Sequence, residues 1–343
     1  MLKIDLITGF LGSGKTSFIK KYAKYLIEQG ERVCILENDY GAINIDMVLL
    51  KVLLGPNCEL EMVVGGDGAE AHKRRFRTKL ISIRMLGFTR VIVEPSGIYD
   101  VDEFFDTLYE SPLDEWYEAG SVITIMDPVT ATAMSEESRY LLMSEAARAG
   151  KVLISKLDET SNIITVTRDA VNYLNASMEH FECKRRFISQ KDILAKPWEE
   201  LTDEDFESIK NAGFVNASHV KLSPADEHYQ SLFYLYYRTS EAELREKISK
   251  LFKDREAGNI FRIKGFITDT GTGASEDRPD KSGMDARNKD ITSGDPLSLE
   301  VNATVENIEI KPVKGESQDV LIVIGENLNK ERISGYFPGA VTV

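Results

Sequence analysis

Gly9-Phe10-Leu11-Gly12-Ser13-Gly14-Lys15-Thr16 is the stretch of this sequence whose residue types and spacing most directly specify chemistry. The glycines let successive backbone N–H groups turn inward on an anion, and a helix starting near Lys15 would add the positive end of its dipole. The Lys15 ammonium suits the β- and γ-phosphates of a nucleoside triphosphate, and the Thr16 hydroxyl suits Mg²⁺. Gly9, Gly12, Ser13, Gly14, Lys15 and Thr16 are therefore the expected phosphate cradle. The pattern carries weight because an apolar run precedes it and a helical pattern follows it.

Further candidates follow other short apolar runs. After residues 32–36 comes Glu37-Asn38-Asp39-Tyr40-Gly41, with Asp46 further along. Glu37 and Asp39 fit two readings equally: Mg²⁺ held through water and an oriented attacking water, or an acidic solvated turn. Glu94-Pro95-Ser96-Gly97 follows residues 90–93. Glu94 stands where an enzyme with such a loop places a metal-coordinating or water-positioning carboxylate, and Gly97 can bring its N–H to the γ-phosphate. Asp127 has a similar position after residues 121–126, with an ordinary turn residue as its reading. Ser155-Lys156-Leu157-Asp158 follows residues 151–154. Asp158 can accept two hydrogen bonds from a guanine edge while the Lys156 stem packs over the ring, and adenine offers no matching donor pair.

These residues need strand ends to carry them. Residues 2–8 read as a buried strand and residues 15–29 as a helix, with Phe18, Tyr22, Tyr25 and Leu26 at helical spacing and Gly30 as its stop. Four more short apolar strands, at 32–36, 90–93, 121–126 and 151–154, alternate with helical patterns. That order predicts a doubly wound, mostly parallel α/β sheet with helices on both faces and a site at the carboxyl ends of the strands.

From about residue 225 the pattern changes to a smaller α+β unit. Strands are expected at 229–237, 260–268, 297–310 and 320–325. A helix is expected at 240–252, opened by a Ser240/Glu243 capping box. Another helix is expected over 198–210. The expected division is a nucleotide-binding domain at 1–198, a connecting segment at 199–225 and a second domain at 226–343. Within the second domain, residues 269–296 are rich in Gly, Ser, Asp and Lys and read as a mobile insertion.

Composition bounds the function. The 343 residues suggest about two domains, and 42% hydrophobic with 29% charged residues is ordinary for a globular chain with a sizeable core. A formal net charge of −14 argues against nucleic-acid partners and an anionic membrane surface. No apolar run is long enough to span a bilayer, and residues 1–7 do not read as a signal peptide. Cys34, Cys58 and Cys183 are too scattered for a disulfide framework, which points to a reducing, cytoplasmic setting. The basic run from His72 to Arg77 reads as a solvated helix face.

With these motifs together, the chain resembles the CobW family of P-loop GTPases, relatives of the GTPases that insert nickel into urease and hydrogenase. The carrying residues are Gly9 to Thr16, Glu37 to Gly41 with Asp46, Glu94 to Gly97, and Ser155 to Asp158. In the second domain, Arg262-Ile263-Lys264-Gly265 looks like the family's Arg-x-Lys-Gly strand and Ile322 to Gly325 like its closing strand. The resemblance implies Mg²⁺-dependent hydrolysis of GTP to GDP, coupled to delivery of a metal or of a corrinoid (cobalamin-type) cofactor to a client protein. Lys15, Glu37, Asp39 and Glu94 would be catalytic, and Thr16, Glu37 and Glu94 would serve Mg²⁺.

The chain departs from the family pattern in three places. The guanine motif begins with Ser155 rather than Asn, and Pro95 follows the switch glutamate where Thr or Ser is usual. The family's Cys-x-Cys-Cys metal motif is missing: residues 63–70 stand in its place, with Asp67 and Glu70 as candidates for a second metal site. Carboxylates suit harder cations than thiolates do. Cys58 and His72 flank this segment and read as structural. Turnover is expected to be slow, since no arginine finger is evident. Two other readings stay open, a nucleotide-responsive metallochaperone or scaffold with little turnover and an ATP-dependent P-loop enzyme. A homo-oligomer is also left open.

Overall fold

The first unit begins with β1 (Leu2–Thr8), whose end delivers the chain into the glycine-rich loop and then α1 (Lys15–Glu28). There follow β2 (Val33–Asp39), β3 (Cys58–Val64), α2 (Ala69–Arg84), β4 (Arg90–Pro95), α3 (Val101–Leu108), α4 (Leu113–Trp116) and β5 (Tyr117–Met126). Then come α5 (Glu136–Ala147), β6 (Lys151–Ile154), α6 (Ile163–His180), α7 (Ser189–Asp192), β7 (Ile193–Ala195) and α8 (Asp203–Lys210). The computed structural model describes residues 1–39, 50–64, 69–97, 99, 101–128, 134–217, 229–271, 298–305, 307–313 and 319–342. The chain divides into Met1–Ala225 and Asp226–Val343.

The seven strands of the first unit pair in the order β3-β2-β4-β1-β5-β6-β7. Every pair is parallel. From β1 the chain crosses to β2 on one side; from β4 it crosses β1 to β5 on the other. A doubly wound sheet with this reversal opens a crevice beyond the carboxyl ends of its central strands. The strands are buried on both faces, so they read as continuous apolar runs; every residue of β4 is buried. One face packs against α2, α3, α5 and α6 through Phe76, Phe104, Leu142 and Leu174. The other packs against α1 and α8 through Phe18, Tyr22, Phe206 and Ile209.

Sequence patterning misses the two edge strands of this sheet. β3 is an edge strand buried only at Cys58 and Val63 among its described side chains, and β7 has three residues. The helix expected over 198–210 is broken. A 3₁₀ turn, Trp198–Glu200, precedes α8, and Thr202 caps α8 in a reciprocal box with Asp205. The segment expected to connect the domains, 199–225, instead supplies α8 to the core: Phe206 stacks on Tyr25 with ring centroids 5.1 Å apart.

In the second unit β8 (Tyr229–Leu235), β9 (Arg238–Thr239), α9 (Glu241–Leu251) and β10 (Asn259–Asp269) lead to β11 (Ser298–Ala303) and β12 (Ile308–Val313). β13 (Val320–Glu326), α10 (Lys330–Ser334) and β14 (Val341–Thr342) complete it. The sheet order is β12-β11-β10-β13-β8-β14, and β9 pairs with β10. The single strand expected over 297–310 is a hairpin, closed where the Thr304 N–H donates to the Asn307 carbonyl at 2.8 Å. Half of the expected capping box forms. Ser240 Oγ accepts from the Glu243 N–H, but the Glu243 carboxylate takes the Thr239 hydroxyl and the Lys247 ammonium instead. The expected insertion begins inside β10 at Asp269, and residues 272–297 lie outside the described residues.

Candidate functional site

At the end of β1 the backbone can do what it does only with glycine. Gly9, Gly12 and Gly14 have φ of 142°, 77° and 100°. A methyl group on Gly9 would lie 2.3 Å from the Ile125 carbonyl oxygen. The loop closes on itself where the Ser13 N–H donates to the Phe10 carbonyl, and α1 starts directly after Gly14. The Lys15 ammonium donates to the Gly9 carbonyl at 2.7 Å. Ser13 Oγ is buried without a partner. Buried polar atoms are ordinarily hydrogen-bonded, so an unpartnered hydroxyl in a glycine cradle fits a phosphate oxygen.

β4 brings Glu94 to the same place. Thr16 Oγ1 donates to Glu94 Oε1 at 2.7 Å, and both residues are buried. Glu37 is buried on β2 at the position paired with Glu94, so two carboxylates stand side by side at neighbouring strand ends. Thr16, Glu94 and Glu37 form an oxygen donor set suited to Mg²⁺. Gly97 touches the loop from the other side: a methyl group on it would lie 2.8 Å from the Leu11 nitrogen. Asn38, beside Glu37, is fully buried with both side-chain polar atoms unpartnered.

β5 and β6 supply the next segment. Lys156, with φ of 56°, donates to buried Asp127, which ties the two strand ends together. Asp158 is exposed. Its Oδ1 accepts from the Thr160 hydroxyl at 2.7 Å, the Thr160 N–H at 2.9 Å and the Ser161 hydroxyl at 3.0 Å. The Thr160 hydroxyl foremost, then the Ser161 hydroxyl, hold its carboxyl below the usual carboxylate range. Asp158 is thus an ionised acceptor with Oδ2 available. Ser155 is buried, and its hydroxyl donates to the Met126 carbonyl at 3.3 Å.

Among the candidates, Asp39 ends β2 but its side chain lies outside the described residues, as do Tyr40, Gly41, Asp46 and Asp67. Glu70 is exposed in the first turn of α2. Among the described residues no group of three or more His, Cys, Asp and Glu could hold a metal ion. Cys34, Cys58 and Cys183 are buried free thiols, and burial pushes Cys58 up to about 11. His72 is buried. The basic run that contains it is only partly solvated: Lys73 and Arg77 reach back to Glu110 and the Ser111 carbonyl.

Two residues near the loop carried no sequence signal of chemistry. Glu145 is fully buried on α5, where its carboxyl faces the Gly9 N–H and the Lys15 ammonium. Burial pushes its carboxyl up to about 8, against the opposing pull of the Lys15 ammonium and the Gly9 N–H. An acid in a helix turn flanked by Met143, Ala146 and Ala147 was the available hint. Trp198 stands against Gly14. Its hint was a tryptophan placed just beyond an apolar tripeptide.

Residues 3–182 match the family described as the CobW/HypB/UreG nucleotide-binding domain. The chain belongs to this family. It is 26% identical over 162 residues to the zinc chaperone YeiR of Escherichia coli K12, covering 47% of this chain and 48% of that protein. It is 22% identical over 165 residues to the zinc chaperone YjiA of the same organism, covering 46% of this chain and 50% of that one. The chain thus spans about half the length of these relatives in its matched part. Among solved structures, Zn(II)-bound YjiA GTPase aligns over 99% of both chains at 14% identity and a TM-score of 0.35. HypB from Helicobacter pylori in complex with nickel aligns over 61% of this chain and 84% of that one, at 15% identity and a TM-score of 0.36. The fold assignment rests on the strand order above. No helix among the described residues is long and apolar enough to cross a membrane.

Proposed function

We propose that this chain hydrolyses GTP to GDP and phosphate and uses the cycle to control delivery of a metal ion to a client protein. The observation that carries the hydrolytic reading is the bond from Thr16 Oγ1 to Glu94 Oε1 directly below the loop that holds Lys15. It unites the phosphate loop with the strand-end carboxylate. Lys15 and the loop amides would stabilise charge developing on the outer phosphates. Glu94 and Glu37 would orient the attacking water, Gly97 would meet the γ-phosphate, and Asp39, one strand position beyond Asn38, would assist. Thr16, Glu37 and Glu94 would hold Mg²⁺, which when bound would supply neutralisation of phosphate charge. Asp158 favours guanine, with the Lys156 stem beside the ring.

Titration of the protein with GTP, GDP and ATP in Mg²⁺ tests this reading. Guanine-selective binding that is lost in Lys15→Ala and loses its selectivity in Asp158→Asn is expected; equal binding of ATP would replace it with an ATP-dependent enzyme. The relatives are zinc chaperones, so zinc is the cargo to test first, by equilibrium dialysis with GDP and with a non-hydrolysable GTP analogue. Zinc retention that differs between the two nucleotides supports delivery. Nucleotide-dependent zinc binding without turnover supports the metallochaperone alone. Asp67 and Glu70 are the residues to replace in that assay, and a corrinoid is the second cargo to try.

A further inference from the structure

Trp198 opens the 3₁₀ turn Trp198–Glu200 immediately after Pro197. The turn is pinned on both sides. Glu199 pairs with Lys21 of α1 at 3.4 Å, and Lys196 donates to Asp205 of α8 at 2.8 Å. One edge of the indole meets the Phe18 ring at 5.8 Å between centroids and 61° between planes. The six-membered ring lies on Gly14. A methyl group there would sit 2.9 Å from Trp198 Cη2 and 3.4 Å from Cζ3, with Ser155 Cβ more distant at 3.9 Å. Gly14 holds φ 100° and ψ 21° as the first cap of α1, and no side chain caps that end. The Ser155 hydroxyl is directed to the Met126 carbonyl, so it ties β6 to β5 and leaves the loop to its other neighbour.

We propose that Trp198 is a positioning residue of the phosphate loop, a rigid wall that keeps Gly14 in its left-handed turn and so aims the loop amides and Lys15 at the phosphates. This rests on the nucleotide-binding reading above and deepens it. A large ring packed by Phe18 and carried on a pinned turn leaves Gly14 less room to relax. The contact is with loop backbone, not with a base, so its effect belongs to the phosphates. Every nucleotide sharing them should feel it by one factor. Asp158, by contrast, acts on the base.

The test is calorimetric titration of the full chain with GDP and with inosine diphosphate, which lacks the 2-amino group of guanine, in Mg²⁺. Wild type, Trp198→Leu, Trp198→Phe and Lys15→Ala are compared, with Trp198→Met in reserve if the leucine variant does not fold. Circular dichroism establishes that each variant is folded at the titration temperature. Trp198→Leu is expected to weaken both ligands equally, about ten- to a hundredfold, as misplacement of a binding group does. Trp198→Phe keeps an aromatic ring against Phe18 but lacks the outer ring atoms that meet Gly14, so its loss should fall between wild type and Trp198→Leu and again be equal for both ligands. A folded Trp198→Leu or Trp198→Met that binds as wild type overturns the proposal alone. So does a loss that changes the ratio of the two ligands, which would make Trp198 a base contact. A wild type that binds neither ligand overturns the nucleotide reading with it, and loss of binding in Lys15→Ala separates these cases.

Discussion

Asp5 and Glu145 are both carboxylates with no exposed surface in the same domain, and their surroundings are opposite. Asp5, in β1, accepts from Arg90 Nη2 at 3.0 Å and also from Arg90 Nε, from the Tyr22 hydroxyl at 2.9 Å and from the Ser121 N–H at 2.7 Å. Arg90 in turn donates to the Lys210 carbonyl. The space is filled to the point that a methyl group on Gly120 would lie 2.2 Å from Asp5 Oδ1. Glu145 has only the Gly9 N–H and the Lys15 ammonium to face, and Ser13 Oγ and the Asn38 amide are buried with no partner. A buried polar group without a partner costs about 1–3 kcal/mol. The closed cluster around Asp5 holds the sheet together. Around the loop that cost stands, as it would at the phosphate site proposed above.

Four measurements would break or sharpen this contrast. The largest effect is expected from Arg90→Leu, which leaves the Asp5 charge buried without its cation. Thermal or urea unfolding should show a loss of about 3–5 kcal/mol, with GDP affinity of the folded fraction retained. A loss of affinity at unchanged stability would reverse the roles of the two clusters. Next, Mg²⁺ and GDP at a hundred times Kd should raise stability by about 2.7 kcal/mol in wild type and leave Lys15→Ala unmoved. Third, Glu145→Gln should gain on wild type as pH rises. The carboxyl lies near 8 in the folded chain against 4.5 ordinarily, so below 4.5 both states are protonated and the variant has no advantage. Between those values unfolding releases a proton and wild-type stability falls, so the gain should rise with pH through this interval and level off above pH 8. A difference independent of pH would show that Glu145 does not titrate in this range. The smallest effect, about 1 kcal/mol, is expected for Tyr22→Phe, which removes one donor from a carboxylate that keeps three others.

Much of the site was legible because its signals are local. The glycines of residues 9–14 and the Lys15-Thr16 pair specify a backbone path within one turn, and Glu94, Gly97, Lys156 and Asp158 each follow an apolar strand. The structure brings Glu94 to Thr16 and Lys156 to Asp127 because parallel strands place their ends in a row. Glu145 and Trp198 were not legible. Their positions depend on how a helix and a late turn dock, and neither residue type departs from what an ordinary helix or loop contains. In the second domain the β11–β12 hairpin reads as one strand because residues 304–307 include neither Gly nor Pro. The edge strand β3 escaped notice because Glu59 and Glu61 interrupt its apolar residues.

The family match ends at residue 182, but the molecule's own folding unit does not. α8 covers Phe18, Tyr22 and Tyr25 with Phe206. The Lys210 carbonyl accepts from Arg90 and from the Ser121 hydroxyl. A fragment cut at the homologous boundary would lose β7, Trp198 and this cover, and would present an aromatic face to water. What is inherited as a module is thus shorter than what folds as one. An excised nucleotide-binding fragment of this chain should therefore extend through residue 217 to keep this face covered.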